Sequence, residues 1–143
     1  MHPLLFSISF LVFLLYHIFR VINVKLLNTY ELEIKKSKFL AYLYEIDNQK
    51  EVKEIWNQLK KEHKKARHIP YAYVFYNTAG KSDDKEPSGT SASPIYQNLM
   101  RSNQNHHAVF VVRYFGGIKL GAGGLIRAYN EAANQVLEKN DSF

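Results

Sequence analysis

The chain contains no cysteine. That excludes disulfides, zinc–thiolate centres and thiol catalysis, and it fits a reducing compartment. Proline is scarce, with four in 143 residues, and so is glycine, with seven. A collagen-like or low-complexity chain is therefore excluded. There is no internal repeat. Acidic residues are outnumbered, 13 against 19 Lys and Arg, which leaves a formal charge of +6 and a pI of about 9.4. Such a balance favours an acidic partner: nucleic acid, an anionic membrane or an acidic protein surface. What is plentiful is apolar and aromatic. Hydrophobic residues make up 46%, with ten Tyr and nine Phe, enough for the core of one domain of ordinary size.

The one long hydrophobic run stands at the start. Leu4 to Ile22 is apolar apart from Ser7, Ser9, His17 and Arg20. It comes close to the roughly 20 residues that span a bilayer. A cleaved signal fits poorly, because the first residues carry no Lys or Arg and no small-residue cleavage site follows. Two readings of residues 1–26 stay open: an uncleaved membrane anchor, or a start site assigned too early. With an anchor, Arg20, Lys25, Lys35 and Lys36 would hold the domain over 27–143 in the cytoplasm.

Leu27 to Ile34 alternates as an edge strand, Lys35–Lys38 is a polar break, and Phe39 to Ile46 is a clearer strand. Asp47 or Asn48 caps a helix on which Val52, Ile55, Trp56 and Leu59 share a face through about His63. Tyr71 to Tyr76 is a third strand. Asn77 to Ser93 is a long polar loop, and Ser93 caps a short helix begun by Pro94. Ala108 to Val112 is a fourth, wholly apolar strand. The helix that follows carries Leu125, Ala128, Tyr129, Ala132, Ala133 and Val136 inward and ends near Glu138. This order is α+β, with helices covering one face of a mostly antiparallel or mixed sheet.

Between the last strand and the last helix runs RYFGGIKLGAGGLIRAYN, Arg113 to Asn130. Gly116 and Gly117 break the strand; Gly121, Gly123 and Gly124 open the helix. Glycine lets a backbone or ligand approach closely, and a helix start offers free N–H groups and partial positive charge to an anion. Arg113, Lys119 and Arg127 add full charges, and Arg67 and His68 extend the basic surface together with Lys35, Lys36 and Lys38. The turn is not closed by Gly-Lys-Ser/Thr and lacks the Gly-x-Gly-x-x-Gly spacing, so it is neither a P-loop nor a dinucleotide fingerprint. Tight strand–helix packing without a ligand explains the glycines equally well.

The long loop holds a second motif, SDDKEPSGTSASP from Ser82 to Pro94. Asp83, Asp84 and Glu86 are ligand types that Mg²⁺ accepts, but no EF-hand spacing is present. Ser88 and Thr90 are hydroxyls without a recognisable base and orienter, and no Gly-x-Ser-x-Gly elbow surrounds them.

Four motifs in order carry a resemblance to the IMPACT, or YigZ-type (UPF0029), family: KKSKFLA at Lys35–Ala41, ARHIPYAY at Ala66–Tyr73, the acidic loop, and VVRYFGGIKLGAGGLIRAYNEAA at Val111–Ala133. Lys85 stands where the family commonly has Gly, and Ile69 where a Cys or small residue is usual. The apolar leader is not part of the family pattern. Bacterial members often have a second ferredoxin-like domain, which the sequence to Phe143 is expected to lack. The resemblance implies a fold like the second domain of a small-subunit ribosomal protein, two-layered, with a four-stranded mixed sheet and helices on one side. It also implies a link to regulation of translation. Eukaryotic members add a further domain, and their control of a starvation kinase does not carry over. Some bacterial members have been labelled proline dipeptidases, a label that no metal-peptidase ligand set here supports.

The expectation is a non-catalytic module that binds RNA or a ribosomal surface, with no cofactor and no metal. The alternatives are a metal-assisted enzyme built on Asp83, Asp84 and Glu86, or a regulator binding an acidic protein. A membrane partner is expected only if residues 4–22 are an anchor.

Overall fold

The computed structural model describes residues 8–15 and 25–141. Residues 8–15 form a helix, α1, whose apolar side chains, Phe10 and Phe13 among them, are exposed. The rest of the leader, and with it most of the proposed anchor, lies outside the described residues. Among the described residues no helix is long and apolar enough to cross a membrane.

The strands are β1 (Leu26–Ile34), β2 (Ser37–Glu45), β3 (Tyr71–Phe75), β4 (Thr78–Ser82) and β5 (His107–Tyr114). The remaining helices are α2 (Lys50–Glu62), α3 (Ala92–Arg101) and α4 (Gly121–Asp141). The sheet has five strands in the order β1-β2-β5-β3-β4, and every pairing is antiparallel. The α+β class is as expected, but a four-stranded mixed sheet is corrected on both counts. The additional strand is β4, which lies within the stretch read as loop. Its sequence TAGKS has neither an apolar run nor β-branched enrichment. It needs neither, because it is an edge strand with little burial.

The helices do not all lie on one face, which corrects a second expectation. Ile95 and Leu99 of α3 and Leu125, Ala128, Tyr129 and Ala132 of α4 pack on Phe39, Ala41, Leu43, Val109 and Val111. On the opposite side Val52, Ile55 and Leu59 of α2 pack on Tyr44, Phe110 and Val112. The central strand β5 is therefore covered on both faces. Its unbroken apolar run is the pattern such a strand needs, since alternation is required only where one face meets water.

The β1–β2 hairpin closes on Lys35 and Lys36, both at positive φ (48° and 67°), as a two-residue turn with the right twist requires. Asn48 serves α2 as expected, its Oδ1 accepting the Glu51 N–H at 3.2 Å. Helix α3 starts two residues earlier than expected, at Ala92, and Ser93 is not its cap. The Ala92 N–H instead donates to Oδ1 of the sequence-distant Asp83 at 2.9 Å.

Candidate functional site

At the end of β5 the chain turns through 115–120 into α4, and the acidic loop folds against this junction. The two longest motifs are thus neighbours in space. Their meeting point is a buried ion pair. Arg113 donates from Nε to Glu86 Oε2 at 2.6 Å and from a terminal nitrogen to Oε1 at 2.8 Å, and Glu86 is 5% exposed. Tyr129 of α4 donates its hydroxyl to the same carboxylate in a short hydrogen bond. Burial opposes the Arg113 charge, yet Glu86 holds the guanidinium pKa above its ordinary value. Burial first, and the Glu86 charge next, push the Tyr129 hydroxyl up, so it remains a donor. Arg113 is therefore spent on an internal carboxylate and has no charge left over for a ligand. Tyr129 is the residue that sequence reasoning missed: on a helical face of alanines it reads as core, and nothing local announces its partner.

His68 completes the cluster. Its Nδ1 lies 2.7 Å from the Asp84 carbonyl, an acceptor, so Nδ1 bears the hydrogen there. Nε2 is left 3.5 Å from Glu86 Oε1.

The three acidic side chains do not converge. Asp83 braces the loop: the Ser91 hydroxyl (2.7 Å) and the N–H groups of Ala92 and Gly89 all donate to it. Burial pushes its carboxyl up, but the Ser91 hydroxyl and these backbone donors outweigh that and hold it below the ordinary carboxylate value. Asp84 accepts from Lys60 Nζ at 2.5 Å and from the Ile69 N–H at 2.6 Å, tying the loop to α2. Among the described residues no group of three His, Asp or Glu side chains is placed to hold a metal ion. Lys85 has φ 69°, a left-handed conformation that glycine adopts at no cost. Thr90 is buried and gives its hydroxyl to the Pro87 carbonyl at 2.6 Å, whereas Ser88 is exposed.

The glycines divide between packing and turning. A Cβ on Gly116 would collide with the Lys36 carbonyl, and its N–H donates to the buried Ser37 Oγ at 3.0 Å. This glycine admits the protein's own hairpin turn, as the packing alternative holds. Gly117 (φ 93°) and Gly121 (φ 75°) sit where other residues are strained, with open space on the side a Cβ would occupy. Gly123 lies near the Arg127 guanidinium and Gly124 against Leu120.

Above the ion pair is an open cleft of about 370 Å³, walled by Arg67, His68, Phe115, Lys119, Gly121 and Ala122. The Arg67 guanidinium stacks 4.8 Å over the Phe115 ring. Arg67, Lys119 and Arg127 are exposed, and among the described residues none of them makes an ion pair. The Gly116 contact brings the Lys35–Lys36 turn to the same end of the molecule. The arrangement is a cationic cleft at the first turn of α4, where its one carboxylate is already neutralised.

Comparison with known proteins matches residues 35–137 to the Impact N-terminal domain. An IMPACT family member from Haemophilus influenzae is 40% identical over 118 residues, covering 79% of this chain and 57% of that protein. The IMPACT family member YigZ of Escherichia coli is 40% identical over 112 residues, covering 75% of this chain and 55% of its own. The crystal structure of a hypothetical protein, 39% identical, superimposes with a TM-score of 0.76 over 78% of this chain and 57% of that one. The chain spans a little over half the length of the curated relatives it matches.

Proposed function

Because the chain belongs to the IMPACT family, through that family's N-terminal domain, we propose that it is a non-catalytic binding module linked to regulation of translation, which grips RNA, free or on the ribosome, by its phosphates. The observation that carries this reading is the cleft at the start of α4. Arg67 and Lys119 line it without carboxylate partners among the described residues, and Glu86, the carboxylate beneath, is neutralised by Arg113. Phosphate would meet those two side chains, Arg127, and the free N–H groups of the first helical turn. Gly117 and Gly121 keep the approach clear of side chains. Arg113 has no direct part in binding; it shapes the floor. The reading places the domain in the cytoplasm, with the translation machinery.

The enzyme alternative needed Asp83, Asp84 and Glu86 to face one cation, and their carboxylates face three different sets of donors. A protein-binding regulator would use the same cations toward an acidic surface. Fluorescence anisotropy with a labelled RNA oligomer at low salt separates the two. Binding that is lost on Arg67→Ala with Lys119→Ala supports the RNA reading. Absence of binding by the wild type, or full binding by the double variant, ends it.

A further inference from the structure

On the other side of the acidic loop lies a second cleft, of about 560 Å³, which shares Glu86 with the first. Its walls include Lys53 and Trp56 of α2, Tyr71 of β3, and Ser82, Asp83, Asp84, Lys85 and Ser88 of the loop side. We propose that this cleft and the aromatic strip beside it form a base-stacking site for an unpaired RNA strand, which crosses the acidic loop from the phosphate cleft. The proposal rests on the RNA reading above for the strand's path and on separate residues for its own chemistry.

The sheet supplies the strip. Tyr71, Tyr73 and Phe75 alternate on β3, all three on the face that α2 covers, and all three stay partly exposed. In the register of the hairpin they stand opposite Ser82, Gly80 and Thr78 of β4. A row of rings thus lies beside a row of small residues. Gly80 is the tightest point: a Cβ there would run into the Tyr73 ring, so only glycine lets that ring lie down on the edge strand. The weak, small-residue composition of β4 has this consequence, a low ledge with ring surface above it.

The helix supplies a further ring and a cation. Lys53, Trp56 and Lys60 are spaced three and four residues apart and share one edge of α2. Trp56 is pinned by its indole N–H, which donates to the Ile69 carbonyl at 2.9 Å. Lys60 stacks on the Trp56 ring and is held by Asp84. Asp84 and Glu86 are thus paired with Lys60 and Arg113, while Asp83 is held by the neutral donors of Gly89, Ser91 and Ala92. Lys53 and Lys85 are exposed and make no ion pair among the described residues. Aromatic faces next to unpaired cations are the elements of sequence-tolerant single-strand binding, with bases on the rings and phosphates on the lysines. A duplex hides its base faces and cannot use such a strip.

Trp56 is the chain's single tryptophan, so its emission reports on this cleft alone. The experiment uses the full chain with single-stranded oligouridylate of roughly 12 nucleotides, within the range that single-strand sites of OB folds occupy, and a duplex of the same length. Anisotropy of the labelled RNA is read alongside Trp56 emission. The single strand is expected to change Trp56 emission and the duplex is not. Lys53→Gln with Lys85→Gln should lower single-strand affinity by roughly tenfold and flatten the slope of log K against log salt by about 1.4. Tyr73→Leu, which keeps the packing apolar, should weaken the single strand and spare the duplex. If the strand binds with Trp56 emission unchanged and the double-Gln variant binds as the wild type, the second site is refuted, while the phosphate cleft stands on its dependence on Arg67 and Lys119. If emission responds but Arg67→Ala with Lys119→Ala has no effect, the strip stands and the phosphate cleft falls. No binding of any RNA refutes both.

Discussion

Glu86 holds together three parts of the chain that are far apart in sequence: the acidic loop, the end of β5 and the middle of α4. With Arg113 and the Tyr129 hydroxyl it is satisfied in a dry place, and a buried charge left alone is costly. Glu86→Ala should cost about 3–5 kcal/mol in urea unfolding, while Glu86→Leu with Arg113→Met should recover most of it. A loss below about 1 kcal/mol for the single variant would mean the pair is dispensable. Asp83 has a pH signature. Its folded pKa lies below the unfolded value of about 3.8, so ionised Asp83 contributes stability that is present above that value and is lost as pH falls through the folded one. Wild type and Asp83→Asn should differ in urea midpoint at about pH 7 and converge as pH drops below about 3.8. A constant gap across that range contradicts the assignment.

At the scale of elements, the hairpin turn and the glycine turn meet at Gly116. Gly116→Ala would force a Cβ into the Lys36 carbonyl, which is backbone and cannot swing away, and should cost about 1–3 kcal/mol. Gly123→Ala, whose Cβ would meet only the flexible end of Arg127, should stay within about 1 kcal/mol of the wild type. Thermal melts of the two variants check the contrast, and equal losses would contradict it. Much of this layout was legible beforehand. The strand–turn–helix around 113–130 and the order of the other elements follow from apolar spacing and from glycine. What stayed hidden has physical causes. Strand β4 forms because β3 offers it an edge, not because Thr78–Ser82 favours a strand. The place of α2 opposite α3 and α4 was written in the unbroken run Ala108–Val112, which needs cover on two sides. The use of Arg113 could not be read, because its partner Glu86 lies 27 residues away in a loop whose charges look solvated.

For the whole molecule, the charge of +6 matters less than its distribution. Arg113 and Lys60 are committed to Glu86 and Asp84, whereas Arg67, Lys119 and Arg127 flank the turn into α4 and Lys35 and Lys36 lie at the same end. The fold thus separates cations held by internal carboxylates from cations without such partners among the described residues, and of the latter Arg67 and Lys119 line the cleft. The most direct test is RNA affinity measured from about 50 to 200 mM salt for the wild type and for Arg67→Ala, Lys119→Ala, Arg127→Ala combined. A steep fall with salt is expected for the wild type, and a slope shallower by about 2 for the triple variant, at lower affinity throughout. Equal slopes for the two proteins, or no RNA binding by the wild type at the lowest salt, would contradict the RNA reading.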